Sequence, residues 1–371
     1  MHLAVAGVRL RAAQFPLPCF GFLFMSEERI VELDALRGIA ALSVMAYHFT
    51  SVYPRLISHR PFADVPQIWC GYFGVELFFM ISGFVIFFSA QRAPSMLDFA
   101  LSRFARLFPA YWAAVLLAAA LHWGTGDGAG SALLFQTTVN LTMLQTFFGV
   151  KNLDESYWTL ALELSFYLWI ALAIRVTLAR GRRIEWALGL WLAVATVVRL
   201  LAVALPYRLT ILALVYYGQF FVFGVALYLI TQGAARRMTY VIAAWALLMS
   251  AFGANAHTPA AGFDDYFPMS LACAALMVVA VWKRPSFLRS SFLGFFGRIS
   301  YSLYLIHSVV GYFLITQALA AGVSDGVAIL LAVIGVVAVG WLCQTVVESP
   351  GRKALRRWFA SLRSGVLLQK A

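Results

Sequence analysis

Apolar residues run through almost the whole chain in blocks of about twenty, separated by short polar or basic stretches. A helix needs about 20 predominantly apolar residues to cross a hydrocarbon core about 30 Å thick. The pattern therefore predicts an all-α fold, a polytopic membrane helical bundle of about ten transmembrane helices. The predicted spans are 35–53, 68–90, 105–123, 157–178, 184–206, 209–231, 237–254, 266–282, 298–320 and 326–347.

Two other regions follow different patterns. The stretch 131–148 is apolar but carries Gln136 and Asn140, so we interpret it as an interfacial or re-entrant helix. The sequence that begins at Met25 resembles an authentic start. We therefore expect an N-terminal extension over 1–28 that is poorly ordered or a misassigned start, a transmembrane domain over 29–352, and a basic cytoplasmic tail over 353–371.

The composition agrees with a membrane protein. Only 12% of the 371 residues are charged, against about 25% in soluble domains, and the mean hydropathy is +0.83. The net charge of +12 follows membrane topology, so we expect no nucleic-acid partner. Lys and Arg collect on alternate connections and in the tail, which predicts both termini in the cytoplasm. The four cysteines lack metal-type spacing and predict no metal site.

The most informative stretch is 33–49, LDALRGIAALSVMAYHF, in which Asp34, Arg37 and His48 interrupt an apolar helix. Arg37 and His48 are eleven positions apart, which on an α-helix brings both side chains to nearly the same face, roughly 16 Å apart. If Arg37 marks one membrane edge, His48 lies near the midplane. An ionisable group at that depth indicates a functional site.

Other predicted spans place ionisable groups at similar depth. Glu76, Glu163 and His307 lie about seven to ten residues from their span ends. Trp158 precedes Glu163 and Tyr304 precedes His307, each about one turn away. Because a charged group costs at least a few kcal/mol in the membrane unless it is paired or hydrated, we expect these helices to surround one central polar cavity.

The segment RFARLFPAYW carries Arg103 and Arg106 one turn apart. Anchoring at the cytoplasmic edge would explain such a pair. The pair would also join Arg37 at one cytoplasmic mouth, where three guanidinium groups suit a phosphate-rich ligand. The sequence leaves both interpretations open.

Together these segments resemble acyltransferase family 3, the membrane O-acyltransferases of bacterial O-antigens, exopolysaccharides and related glycans. Arg37, ten residues and His48 resemble the R-x10-H signature of that family. The resemblance extends over about 28–352, and the segments that carry it are FFMISGFVIF, RFARLFPAYW, SYWTLALELSFY, ISYSLYLIH and VVESP.

The resemblance implies acyl-CoA, usually acetyl-CoA, as a cytoplasmic co-substrate, with no tightly bound cofactor. It implies a hydroxyl of a cell-surface glycan or of its lipid-linked precursor as the acceptor, reached from the outer side. The expected location is the bacterial inner membrane, as a multi-pass protein in contact with membrane lipid.

With this reading, His48 is the expected catalytic centre, either as a general base or as a residue that carries the acyl group covalently. Glu163 could orient the imidazole or bind the sugar. The expected substrate-binding residues are Arg37, Arg103, Arg106, Asp34, Glu76, Trp158, Tyr304 and His307. Within this set, the arginines would hold phosphates, and Tyr304 and His307 would line the thioester pocket or donate to the oxyanion.

A proton-coupled transporter or exporter of a glycan or lipid precursor is the alternative, because such proteins also place His and Glu inside the membrane. The sequence shows no clear internal repeat of the kind that transporters often have.

Overall fold

The computed structural model describes residues 30–62, 64–126, 130–179, 181, 183–252 and 263–368, so the predicted extension 1–28 lies outside the described residues. Every regular element in these ranges is helical. The first helices are α1 Val31–Tyr47, α2 Tyr53–Leu56, α3 Gly74–Arg92, α4 Met96–Thr125, α5 Gly130–Asn140, α6 Gln145–Phe148 and α7 Trp158–Ala179. The remaining helices are α8 Ile184–Leu200, α9 Tyr207–Leu212, α10 Gly218–Thr231, α11 Arg237–Met249, α12 Phe263–Trp282, α13 Ser291–Ala320, α14 Asp325–Leu342 and α15 Ser349–Leu368.

Five helical segments in the described part of the chain are long and apolar enough to cross a membrane: Trp69–Arg92, Met96–Thr125, Glu155–Thr177, Ser291–Ala320 and Asp325–Leu362. Three further apolar helices are shorter, Gly218–Thr231, Arg237–Met249 and Tyr266–Trp282. The all-helical membrane architecture is therefore confirmed, and the count of about ten spans stays a prediction.

The predicted span over 209–231 is not one continuous helix. Helix α9 ends at Leu212, Leu214 has a positive φ of 54°, and α10 begins only at Gly218. Two carbonyl groups at the break accept hydrogen bonds from tryptophans: Leu212 from the Trp169 indole at 2.6 Å and Ala213 from the Trp191 indole at 2.9 Å. Because distant indole groups satisfy these carbonyls, hydropathy along the chain cannot reveal the break.

Helix α1 packs closely against α13 through a pair of glycines. A Cβ atom added to Gly38 would lie 2.8 Å from the backbone nitrogen of Gly297, and one added to Gly297 would collide with the backbone oxygen of Asp34. Small residues at such a crossing let two helix backbones approach each other. This contact fixes α1, and with it Arg37 and His48, against the helix that carries His307.

One ion pair lies at the amino end of α1, and another joins the segment that follows α1 to α14. At its amino end, Arg289 binds the buried carboxylate of Glu32 at 2.7 Å, with Arg284 3.5 Å away. Beyond its carboxyl end, Arg60 donates to Asp325 at the start of α14 from Nη1 and Nη2 of its guanidinium group. Burial raises the pKa of Glu32, which lies outside the predicted span, but the Arg289 hydrogen bond and both arginine charges outweigh it and leave the pKa below its ordinary value.

We predict that Gly297→Ala lowers the stability of the purified protein by about 1–3 kcal/mol, because the new methyl group must displace the α1 backbone. Gly294→Ala is the matched control, since it lies one turn earlier in α13 and its Cβ would approach only the Arg298 guanidinium, at 3.7 Å. Thermal unfolding in detergent measures both. Equal melting temperatures for the two variants would contradict the close α1–α13 crossing.

Candidate active site

Three cavities that share lining residues extend along α1. The first has a volume of about 550 Å³, the second about 50 Å³ and the third about 400 Å³. Arg37 lines both the first and the second cavity, and Val75 and Tyr304 line both the second and the third. A wide cavity at one end of α1 therefore adjoins a narrow one, which adjoins a wide cavity at the other end.

The first cavity is rich in arginine. The basic residues in its lining are Arg37, Arg92, Arg106, Arg298 and Arg352, and its acidic residues are Asp34 and Glu348. An excess of guanidinium groups around a concave site suits a ligand with several phosphate groups. The sequence analysis interpreted Arg92, Arg298 and Arg352 only through the charge pattern, because basic residues in loops next to a span ordinarily mark the cytoplasmic side.

The two arginines of the RFARLFPAYW segment have different surroundings. Arg106 forms an ion pair with the buried carboxylate of Glu348, which also accepts a hydrogen bond from Ser302 at 2.7 Å. Arg103 donates to Ser89 at 3.2 Å and Ser102 at 3.1 Å, and it is not among the residues that line these three cavities. Within this pair, the anion-binding prediction now depends on Arg106, whose charge Glu348 partly balances.

Glu163 lies in the narrow second cavity with Arg37 and Tyr304. Its carboxylate accepts a hydrogen bond from Tyr167 and interacts electrostatically with Arg37. It is not among the residues that line the third cavity, where His48 lies. The structure thus groups Glu163 with Arg37, whereas depth counting had grouped it with His48.

His48 lines the third cavity, and the ring of His307 lies against it with centroids 4.7 Å apart in an edge-to-face arrangement. Trp158, Tyr47 and Tyr72 also line this cavity. Two helices that are far apart in sequence, α1 and α13, therefore bring both predicted histidines together.

The hydrogen bonds of His48 define its chemistry. Its Nδ1 lies 2.9 Å from the carbonyl oxygen of Val44. Because a carbonyl oxygen only accepts, Nδ1 carries the proton and Nε2 of the neutral ring keeps its lone pair. The same reasoning applies to His307, whose Nδ1 lies 2.7 Å from the carbonyl oxygen of Tyr304. Each ring can therefore take up a proton at Nε2.

Tyr304 belongs to an ordered chain of hydrogen bonds. The Tyr304 hydroxyl lies 2.9 Å from the Thr159 hydroxyl and donates to the carbonyl oxygen of Ser156 at 3.4 Å, and Thr159 also donates to that carbonyl at 2.9 Å. In this arrangement the Tyr304 proton is already engaged. Donation to an oxyanion would require the hydroxyl to turn away from these partners.

Asp154 is the residue near the two histidines that the sequence analysis missed as a functional candidate. It is buried, accepts hydrogen bonds from the backbone and hydroxyl of Ser156 at 2.7 and 2.6 Å, and accepts another from the Val309 amide at 2.8 Å. It also interacts electrostatically with His48. Its position in a short polar loop gave no sign of this contact, because the contact depends on the approach of α13.

Glu76 is placed away from these cavities. It is fully buried and accepts a hydrogen bond from Tyr266 on α12 at 3.0 Å. Neither Glu76 nor Tyr266 is among the residues that line the three cavities. The structure supports a packing role for Glu76 more directly than contact with a substrate, whereas Asp34 and Trp158 do line cavities.

Comparison with known proteins gives two matches. A family model described as an acyltransferase domain matches residues 30–345. The acyltransferase MdmB of Streptomyces mycarofaciens is 25% identical over 367 residues, covering 89% of this chain and 93% of MdmB. No solved structure matches.

We predict that Asp154→Ala lowers stability by about 1–2 kcal/mol, because it removes the acceptor for the Ser156 backbone at the start of the helical turn Glu155–Tyr157. Asp154→Asn should lower it less, since the amide oxygen still accepts that hydrogen bond. Thermal unfolding of both variants measures the difference. If the Ala variant were as stable as the wild type, the loop would not depend on this carboxylate.

Proposed function

Since the chain belongs to acyltransferase family 3 and is a membrane acyltransferase, we propose that it moves an acyl group, expected to be acetyl, from cytoplasmic acyl-CoA to a hydroxyl of a cell-surface glycan or its lipid-linked precursor. The proposed location is the bacterial inner membrane, with both termini in the cytoplasm. The observation that carries the proposal is the series of cavities that leads from the arginine-rich lining to His48.

The donor fits this series by its shape and charge. The nucleotide end of acyl-CoA carries several phosphate charges and suits the arginines of the first cavity. The pantetheine arm is thin and largely uncharged, which suits the narrow second cavity with Phe78, Phe79 and Leu160 in its lining. With the phosphates at Arg37 and Arg106, the thioester would extend toward Tyr304 and His48.

The acceptor would occupy the third cavity. Its volume of about 400 Å³ falls in the range of small-molecule sites. Trp158, Tyr47 and Tyr72 offer aromatic faces for the apolar side of a sugar ring, and Glu155 and Arg55 offer polar groups for its hydroxyls. This combination favours a saccharide hydroxyl over a purely apolar alcohol.

In the general-base route, Nε2 of His48 takes the proton of the acceptor hydroxyl while its oxygen attacks the thioester carbonyl. The C–S bond then breaks, and the imidazolium returns the proton to the leaving thiolate. In the covalent route, the same Nε2 attacks the thioester carbonyl, the C–S bond breaks, and CoA leaves as the thiolate. The acceptor oxygen then attacks the acyl carbon, the bond to Nε2 breaks, and the hydroxyl proton passes by way of Nε2 to the thiolate. Both routes place positive charge on His48, which the negative charge of Asp154 would stabilise.

Glu163 takes a different role in this proposal from the one expected in the sequence. Its electrostatic interaction with Arg37 and its hydrogen bond from Tyr167 suggest that it orients Arg37 at the narrow cavity. His307, stacked edge-to-face on His48, would limit the rotation of the catalytic ring.

We predict that His48→Ala lowers acetyl transfer by at least about 10²-fold, since both routes need Nε2. The assay follows transfer of labelled acetyl groups from acetyl-CoA to surface glycan in membranes that carry each variant. His59→Ala is the matched control because His59 lies in an exposed loop. Wild-type activity in a folded His48→Ala protein would refute the catalytic assignment.

We predict that Arg37→Gln raises the KM for acetyl-CoA by about tenfold with a smaller effect on kcat, because one charge-assisted phosphate contact is lost. The exposed Arg237→Gln serves as the control. Acetyl-CoA should raise the melting temperature of the wild type more than that of Arg37→Gln. Absence of any stabilisation of the wild type by acetyl-CoA would contradict the donor assignment and favour the transporter interpretation.

A further inference from the structure

Helix α15 is strongly basic and lies beyond the family match, which ends at residue 345. From Ser349 onward the sequence contains no Asp or Glu, and its basic residues are Arg352, Lys353, Arg356, Arg357, Arg363 and Lys370. The amino end of α15 contributes Ser349 and Arg352 to the first cavity. The part of the helix that follows takes no part in the site described above.

One face of α15 packs along the amino-terminal half of α4. A Cβ atom added to Gly351 would lie 2.7 Å from Cβ of Pro109, and the ring of Phe359 lies 6.2 Å from that of Phe104. Later residues of α15 thus meet earlier residues of α4, so the two helices run antiparallel. Helix α15 therefore extends alongside the end of α4 that the charge pattern places at the cytoplasmic edge.

The exposed residues of α15 differ in chemistry around the helix. Lys353, Arg356 and Arg357 are exposed. The two arginines follow Lys353 by three and four positions, so they share a face of the helix with it. Trp358 and Leu362 are 55% and 50% exposed and are four positions apart, on the side of the helix that also carries Gly351 and Phe359. At about 100° per residue, Trp358 lies about 140° around the helix from Lys353. The exposed surface is therefore basic on one side and apolar on the other.

We propose that α15 is a binding surface for anionic phospholipids at the membrane boundary. Lys353, Arg356 and Arg357 bind the phosphates of the headgroups, and Trp358 lies at the headgroup level. Tryptophan favours the headgroup level, and basic residues next to a span attract anionic lipid. The charge of the helix, with no acidic residue to balance it, favours lipid phosphates as the occupant.

The test uses the full-length protein reconstituted in phosphatidylcholine vesicles. Electron paramagnetic resonance measures how strongly spin-labelled phosphatidylglycerol associates with the protein, relative to spin-labelled phosphatidylcholine. We expect the wild type to prefer phosphatidylglycerol, and the triple variant Lys353→Gln, Arg356→Gln, Arg357→Gln to lose about fivefold or more of that preference. Higher ionic strength should weaken the preference of the wild type.

A second triple variant, Arg183→Gln, Arg237→Gln, Lys283→Gln, removes the same charge from exposed residues elsewhere and should keep the preference. Arg357→Gln alone should show a partial loss, so the result does not depend on whether the first triple variant folds. Equal preferences in the two triple variants, together with no effect of Arg357→Gln, would overturn the proposal. This outcome is independent of acyl transfer, which the assay does not measure.

Discussion

An apolar helical bundle must pair or hydrate each charge that it buries, and this constraint determines which helices lie together in the structure. Glu348 meets this need through Arg106 and Ser302, and Asp154 through Ser156 and the Val309 amide. Glu76 accepts a hydrogen bond from Tyr266 at one of its two carboxylate oxygens. These contacts join helices that are distant in sequence, so the buried carboxylates also act as fixed points of the fold. Because such groups are costly to bury alone, each of them restricts where its neighbours can lie.

Positively charged arginines and neutral histidines lie at different positions along the cavities beside α1. Arginines gather around the first cavity, where Asp34 and Glu348 balance only part of their charge. The two histidines lie together farther along α1, with Asp154 as the carboxylate that interacts with His48. In the proposed function, phosphates of the donor would bind at the arginine-rich end and proton transfer would take place at the histidines. The narrow cavity between them, with Glu163 beside Arg37, keeps the two environments apart.

The sequence alone predicted the helical membrane fold, because hydropathy reports burial in lipid directly. It also singled out His48 and His307, whose rings the structure places side by side. It did not specify the other neighbours of His48, because counting depth along separate helices says nothing about rotation around their axes. Asp154 and the break after Leu212 depend on contacts with α13 and with two tryptophans, which no local pattern encodes.

Two π-helical turns determine where α-helical periodicity predicts the direction of a side chain in this protein. The first turn, His48–Val52, begins at His48 itself, so every step from Arg37 to His48 follows ordinary α-helical geometry. The eleven-residue spacing therefore gives the correct phase. The second turn, Cys343–Glu348, ends at Glu348. A π-helical turn changes the angle between successive residues, so the α-helical phase of α14 does not carry over to Glu348. Its contact with Arg106 depends on that local geometry, and only the folded chain reveals it.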